Sequence, residues 1–242
     1  IVNADEAFLA PVYALRDDVR ARRYSHALLL GMGGSSLAAE VMRQTFGVLP
    51  DFPDMIVLDT TDPQAIALAA DAIDLDNTLF IVSTKSGSTV ETISLYKYFF
   101  SLVEARRGAS AGEQFCAITD AGSPLEKTAR DKGFKYLFLN PEDIGGRYSV
   151  LSYFGLVPAA IMGLDLDRLL ASARNMALAC AKNVPTTSNP GAWLGAAMGY
   201  LALQGRDKVS LIASSAISSF GLWAEQLIAE STGKEGKGIV PV

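Results

Sequence analysis

His26-Ala-Leu-Leu-Leu-Gly-Met-Gly-Gly-Ser-Ser36 is a short apolar run that stops in a glycine-rich turn. A helical pattern follows over residues 36–46. Four apolar residues alone do not separate a buried strand from a piece of helix. The glycines that end the run, and the helix that starts behind them, read as strand, turn, helix. The same unit recurs downstream. Residues 55–58 precede a turn at 59–63 and an Ala/Ile/Leu-rich helix. Residues 79–82 precede the polar stretch 83–89 and a long helix over 90–105. Residues 115–118 precede Ser123-Pro124, which opens a helix to about residue 132, and 136–139 form a fifth run. Strands alternating with helices imply βαβ units and a parallel sheet. Right-handed crossovers make that sheet doubly wound. The expected fold class is α/β: a doubly wound, five-stranded parallel sheet flanked by helices.

After Asn140 the pattern changes. A polar turn at 145–149 leads into helices expected over 149–162, 166–183 and 191–203. One more strand is expected at 209–213, and a last helix at 220–230. Val184-Pro-Thr-Thr-Ser-Asn-Pro190 is the best linker. The chain therefore divides into residues 1–185, the first domain, and 186–242, the start of a second α/β domain that is cut short. The strand at 209–213 is expected to be left without a partner, its edge exposed.

The chain has 242 residues, half of them hydrophobic and 19% charged, so disorder is excluded. About 70% of the unfolded surface is expected to be buried, enough for a core without disulfides or metal. Lys+Arg number 21 and Asp+Glu 26, a net charge of −5 that offers no general attraction to nucleic acid. No apolar run approaches the roughly 20 residues of a membrane helix. Cys116 and Cys180 read as reduced thiols of a cytoplasmic protein. His26, the single histidine, reads as a strand-start residue and leaves no zinc cluster. Asp5, Glu6, Asp17 and Asp18 interrupt any signal-peptide core. Neither end looks like a natural terminus, and a fragment of a longer polypeptide is expected.

Four constellations can carry chemistry. The turn 31–36 has the glycines that let backbone approach a ligand, ahead of a helix N-terminus. It fits an anion or sugar site, a dinucleotide site with Asp59 as ribose acid, or a plain tight turn. Ser83-Thr-Lys-Ser-Gly-Ser-Thr89 puts five hydroxyls and one ammonium at a strand's C-terminal end, where open α/β sheets bind ligands. A cap needs one such residue, so phosphate binding is the better reading. Gly145-Gly-Arg-Tyr-Ser149 sets a guanidinium beside flexible backbone, either to steady an oxyanion or to cap a loop. Gln226 and Glu230, four apart, share a helix face near Leu222, Trp223 and Leu227. Partial burial there would raise the carboxylate's pKa toward a useful base.

Taken in order, these motifs resemble the glucose-6-phosphate isomerase family. The stretches that carry the likeness are Gly31-Met-Gly-Gly-Ser35, Ser83-Thr-Lys-Ser-Gly-Ser-Thr-Val-Glu-Thr92, Gly146-Arg-Tyr-Ser149 with Ser152 and Gly155-Leu156, and Glu230-Ser-Thr-Gly-Lys234. The likeness runs from about residue 27 to 234. It is similar in flavour to bacterial members and to the isomerase half of transaldolase–isomerase fusions. It implies the sugar isomerase (SIS) fold. It implies that Gly33, Gly34 and Ser35 line the sugar and that Thr84, Lys85, Ser86, Ser88 and Thr89 hold its phosphate, with Gly146 in the arginine motif. Arg147 would stabilise an enediolate, Gln226 would position substrate, and Glu230 would be the base between C1 and C2. No cofactor or metal is implied, and a homodimer is. The family's ring-opening histidine and C-terminal lysine would lie beyond Val242, so this chain is expected to bind sugar phosphate better than it turns it over. A non-catalytic sugar-phosphate module, an isomerase also accepting mannose 6-phosphate, and an NAD-dependent oxidoreductase are the competing readings.

Overall fold

The computed structural model describes residues 6–242. Residues 1–5, where the first expected domain begins and where Asp5 stands, lie outside the described residues.

The five runs all form strands: β1 (His26–Gly31), β2 (Asp54–Leu58), β3 (Thr78–Ser83), β4 (Phe115–Asp120) and β5 (Tyr136–Asn140). They make one parallel sheet in the order β2-β1-β3-β4-β5. Helices cover both faces, as an all-parallel sheet requires. Alternate residues of β1 point to opposite sides. Leu29 joins a core with α1 (Glu6–Arg22), α2 (Leu37–Phe46), α6 (Tyr153–Ile161) and α7 (Leu166–Ala179). Leu28 and Leu30 join a second core under α3 (Pro63–Ala72), α4 (Val90–Arg107) and α5 (Pro124–Asp131). Phe80, Phe99 and Phe115 anchor that second core, the Phe99 and Phe115 ring centroids lying 5.7 and 4.9 Å from that of Phe80. Each such buried ring contributes about 1.5–3 kcal/mol.

Helix α1 was not anticipated, because its charges mask an apolar stripe of Leu9, Val12, Leu15 and Val19 at helical spacing. A half-buried polar clamp fastens it to β5. Asp18 accepts hydrogen bonds from Lys135 Nζ (2.6 Å) and the Tyr136 hydroxyl, and pairs with Arg22 at 3.0 Å. Burial pushes the Asp18 carboxyl up, but Lys135 and Tyr136 outweigh it and hold the group below its ordinary value.

Three expectations change beyond Asn140. The helix expected over 149–162 is a 3₁₀ turn, Gly146–Leu151, followed by α6. The Ser152 hydroxyl donates to Ser149 O at 2.7 Å, engaging a carbonyl that a continuous helix would use. The second helix of this stretch, α7, stops at Ala179 rather than 183, and Asn189 caps α8 (Pro190–Leu203) through its side chain. The late strand is Lys208–Val209, β6, not 209–213, and it is not left alone. It pairs in parallel with β7 (Val240–Pro241). The ladder is two residues long, with Val240 N–H donating to Asp207 O at 2.8 Å and Val242 N–H to Val209 O at 2.9 Å on either side of Pro241. The last helix, α9 (Phe220–Thr232), packs on α2 through buried Ser219 and Ala224.

Asp18→Asn removes the carboxylate from the clamp and is expected to cost about 1 kcal/mol, a modest figure because a third of the group is exposed and screened. Its native pKa is depressed, so the stability it contributes is present above the unfolded carboxylate pKa of about 4 and is lost as pH falls through the native value. Urea unfolding across the acid range should therefore show a shallower acid loss in the variant. A slope equal to the wild type's would remove Asp18 from the acid response.

Candidate functional site

The sheet order reverses between β1 and β3. The chain leaves β1 for α2 on one face and leaves β3 for α4 on the other. Ligands of open α/β sheets bind in the crevice such a reversal opens at the strands' C-terminal ends. Both loops singled out by the sequence start there.

The glycine loop turns in a short 3₁₀ segment, Gly33–Ser35, and is tied to the next loop by Ser83 Oγ, which donates to Ser35 O at 2.7 Å. Gly34 has to be glycine. A Cβ there would stand 2.6 Å from the Gly146 backbone, so the glycine loop and the arginine turn touch main chain to main chain. Ser149 Oγ fastens the contact, 2.6 Å from Gly146 O and 3.2 Å from Gly34 O. Gln226 comes from α9, and its Nε2 would lie 3.2 Å from a Cβ on Gly33. Its Oε1 is buried without a hydrogen-bond partner.

In the 83–89 loop, the Thr84 and Thr89 hydroxyls bond each other at 2.8 Å. Thr89 therefore leaves the first N–H groups of α4 without a side-chain cap. Ser86 and Ser88 are exposed at the mouth, 3.1 Å apart at their hydroxyls. Gly87 turns with φ +67°, and a Cβ on it would strike Ser123 at 2.7 Å. Lys85 does not reach into the mouth freely, since its ammonium pairs with Asp120 at the end of β4.

Arg147 and Glu230, 83 residues apart in sequence, meet at 3.1 Å. Arg147 Nε donates to Ser231 Oγ at 2.8 Å, and the Tyr148 hydroxyl lies 2.9 Å from the same oxygen. The Tyr148 contact, with Glu230 adding to it, strengthens the guanidinium's hold on its proton. The Ser231 hydroxyl, and after it Arg147, hold the Tyr148 phenol below its ordinary value. Glu230, expected to be partly buried, has half its side chain exposed, two residues before the end of α9. Arg147 is the more covered partner, 22% exposed.

Ser231, Tyr148 and Asp120 are contacts that sequence reasoning gave no role. Asp120 carries a signal, standing at a strand's C-terminal end just before a capped helix. Ser231 carries none beyond following Glu230. His26 sits at the opposite, N-terminal end of the strands against Ser25 Oγ, 2.9 Å away. A cleft of about 440 Å³ beside Arg20, Arg23 and Asp51 lies at that far end too. Among the described residues no group of three or more His, Cys, Asp or Glu side chains is placed to hold a metal, and no helix is long and apolar enough to cross a membrane.

Comparison with protein families matches residues 19–238 to phosphoglucose isomerase. The chain belongs to the phosphoglucose isomerase family. The glucose-6-phosphate isomerase of Acaryochloris marina is 34% identical over 95% of this chain and 44% of its own length. That of Geotalea daltonii is 36% identical over 88% of this chain and 41% of its own. A crystal structure of a glucose-6-phosphate isomerase from Chlamydia trachomatis superposes with a TM-score of 0.78 at 26% identity, over 95% of this chain and 46% of that one. The chain thus spans somewhat less than half the length of these relatives.

Gly34→Ala forces the arginine turn away from the glycine loop. It is expected to lower stability by about 1–3 kcal/mol and to move Arg147 away from the glycine loop. Thermal melts of Gly34→Ala beside the control Gly195→Ala, whose Cβ meets no atom and whose φ, like that of Gly34, is not positive, isolate the cost of the clash. Equal losses would show that the close approach is not tight.

Proposed function

We propose that this chain forms the phosphate- and proton-transfer side of an aldose–ketose isomerase acting on glucose 6-phosphate and fructose 6-phosphate. The observation that carries the reading is the Arg147–Glu230 pair, 3.1 Å apart, delivered by separate elements to the crevice that holds the hydroxyl-rich loop. Thr84, Lys85, Ser86, Ser88 and Thr89 form the phosphate site. The exposed Ser86 and Ser88 hydroxyls and the uncapped N–H groups of α4 donate to the phosphate oxygens. The Thr84–Thr89 bond holds the loop's shape. Gly33, Gly34 and Ser35 give the sugar a bare main-chain surface, with Gly146 beneath it. Gln226 orients the sugar with its amide, whose oxygen awaits a donor.

Glu230 takes the proton from C2 of the open-chain aldose and returns it to C1. Arg147, always charged and adjacent, stabilises the oxygen on which the enediolate charge collects. Phosphate binding remote from these carbons fixes their orientation, which is where much of the rate comes from. Family membership favours this sugar reading of the glycine loop over the dinucleotide one. The two free thiols suit a reducing cytoplasm.

Residues 186–242 we assign to the start of a second α/β unit. A two-residue parallel ladder is too short to stand alone, and α8 presents Trp193, Leu194, Tyr200 and Leu203 to solvent. A larger parallel sheet flanked by helices would cover both.

The melting temperature of the chain is expected to rise with millimolar fructose 6-phosphate or glucose 6-phosphate, and the rise to vanish in Ser86→Ala/Ser88→Ala. No rise with the wild type would sink the phosphate site. In the intact protein, Glu230→Gln should lower kcat by at least about a hundredfold with substrate affinity kept. Turnover that survives would leave a sugar-phosphate-binding module without this catalytic base.

A further inference from the structure

Lys85 is the one cation of the 83–89 loop, and it is already spoken for. Its ammonium pairs with Asp120 Oδ2, in a contact where Lys85 is 30% and Asp120 18% exposed. The other carboxylate oxygen, Asp120 Oδ1, is buried and has no hydrogen-bond partner. The end of β4 also grips the loop's main chain around this pair. Asp120 N–H donates to Lys85 O at 3.2 Å, and Thr119 Oγ1 lies 3.3 Å from the same carbonyl. Thr84 N–H donates to Ile118 O at 3.1 Å. Thr119 and Ser123 share a hydroxyl bond of 2.7 Å, and Ser123 packs where a Cβ on Gly87 would fall. The strand that ends in Asp120 thus fixes both the shape of the loop and the position of its only charge.

A carboxylate beside a phosphate site is electrostatically adverse, since it repels the dianion. Its effect is to cancel Lys85, so that an incoming phosphate meets hydroxyls, N–H groups and a helix end, with no net charge in the loop. We propose that Asp120 is a positioning residue that holds Lys85 in this neutral pair and so keeps affinity for bare phosphate low, making binding depend on the sugar. This rests on the phosphate reading of the loop. A sugar phosphate gains further contacts at Gly33–Ser35 and Gln226 that inorganic phosphate lacks. A free ammonium would strengthen both ligands through a charge-assisted bond and would narrow the difference between them.

Calorimetric titration of the chain with inorganic phosphate and with fructose 6-phosphate, at low and high salt, tests the assignment. Asp120→Asn is expected to bind inorganic phosphate about tenfold more tightly, with the gain shrinking as salt rises. The preference for fructose 6-phosphate over inorganic phosphate should fall, and adding Lys85→Met should abolish the gain. Unchanged or weaker phosphate binding by a folded Asp120→Asn overturns the proposal and leaves the pair a brace for the loop. Asp120→Ser replaces it if Asn fails to fold. An independent measurement needs no variant and no ligand. Acylation followed by mass spectrometry should label Lys85 far more slowly than the exposed Lys97, and equal rates would overturn the pairing itself. A wild type that binds neither ligand refutes the phosphate reading, and the role of Asp120 with it. A wild type that binds while Asp120→Asn matches it refutes the role alone.

Discussion

The chain runs from β1 outward to β2 and then returns past β1 to β3, and right-handed crossovers send α2 and α4 to opposite faces of the sheet. Everything at the site depends on that parting of helices. It separates the loop after β1 from the loop after β3 without breaking the ladder between the strands. Gly31 stays in register with Ser83, and one hydroxyl bond, Ser83 to Ser35, bridges the gap above. A crevice between these two loops follows from strand order alone; the residue types then line it with glycine main chain on one side and hydroxyls on the other.

Elements remote in sequence then close on this crevice through contacts only small residues allow. Gly34 and Gly146 meet main chain to main chain, which carries Arg147 to the rim. Helix α9 docks on α2 and brings Gln226, Glu230 and Ser231 to the same rim. Ser231 has a part in this although it carries no charge. By accepting from Arg147 Nε it fixes the plane of the guanidinium and leaves Nη1 directed at Glu230.

Charge is handled differently at the two ends of the sheet. At the far end Asp18, Lys135, Arg22 and Tyr136 form a clamp whose partners satisfy one another, and it joins α1 to β5. At the C-terminal end polar groups are left incomplete: Gln226 Oε1 and Asp120 Oδ1 have no partner, and half of Glu230 faces solvent. Buried polar groups are normally bonded; the Tyr24 hydroxyl, Thr92 Oγ1 and Asn140 Oδ1 are also without a partner, so the open groups are not confined to one end of the sheet.

The sequence alone determined the five strands and the α/β class, because apolar runs stopped by glycine or hydroxyl turns are local signals. It also supplied the four motifs of the site, whose chemistry depends on residue type and short spacing. It did not disclose α1, whose stripe is diluted by charge, nor the pairing of β6 with β7, which depends on a segment 32 residues away in the register Lys208 to Val240. Tertiary structure alone decided that Arg147 faces Glu230, that half of Glu230 stays exposed, and that Lys85 is held by Asp120. These are relations between side chains 35 and 83 residues apart, set by strand order and helix docking, and no local pattern encodes them.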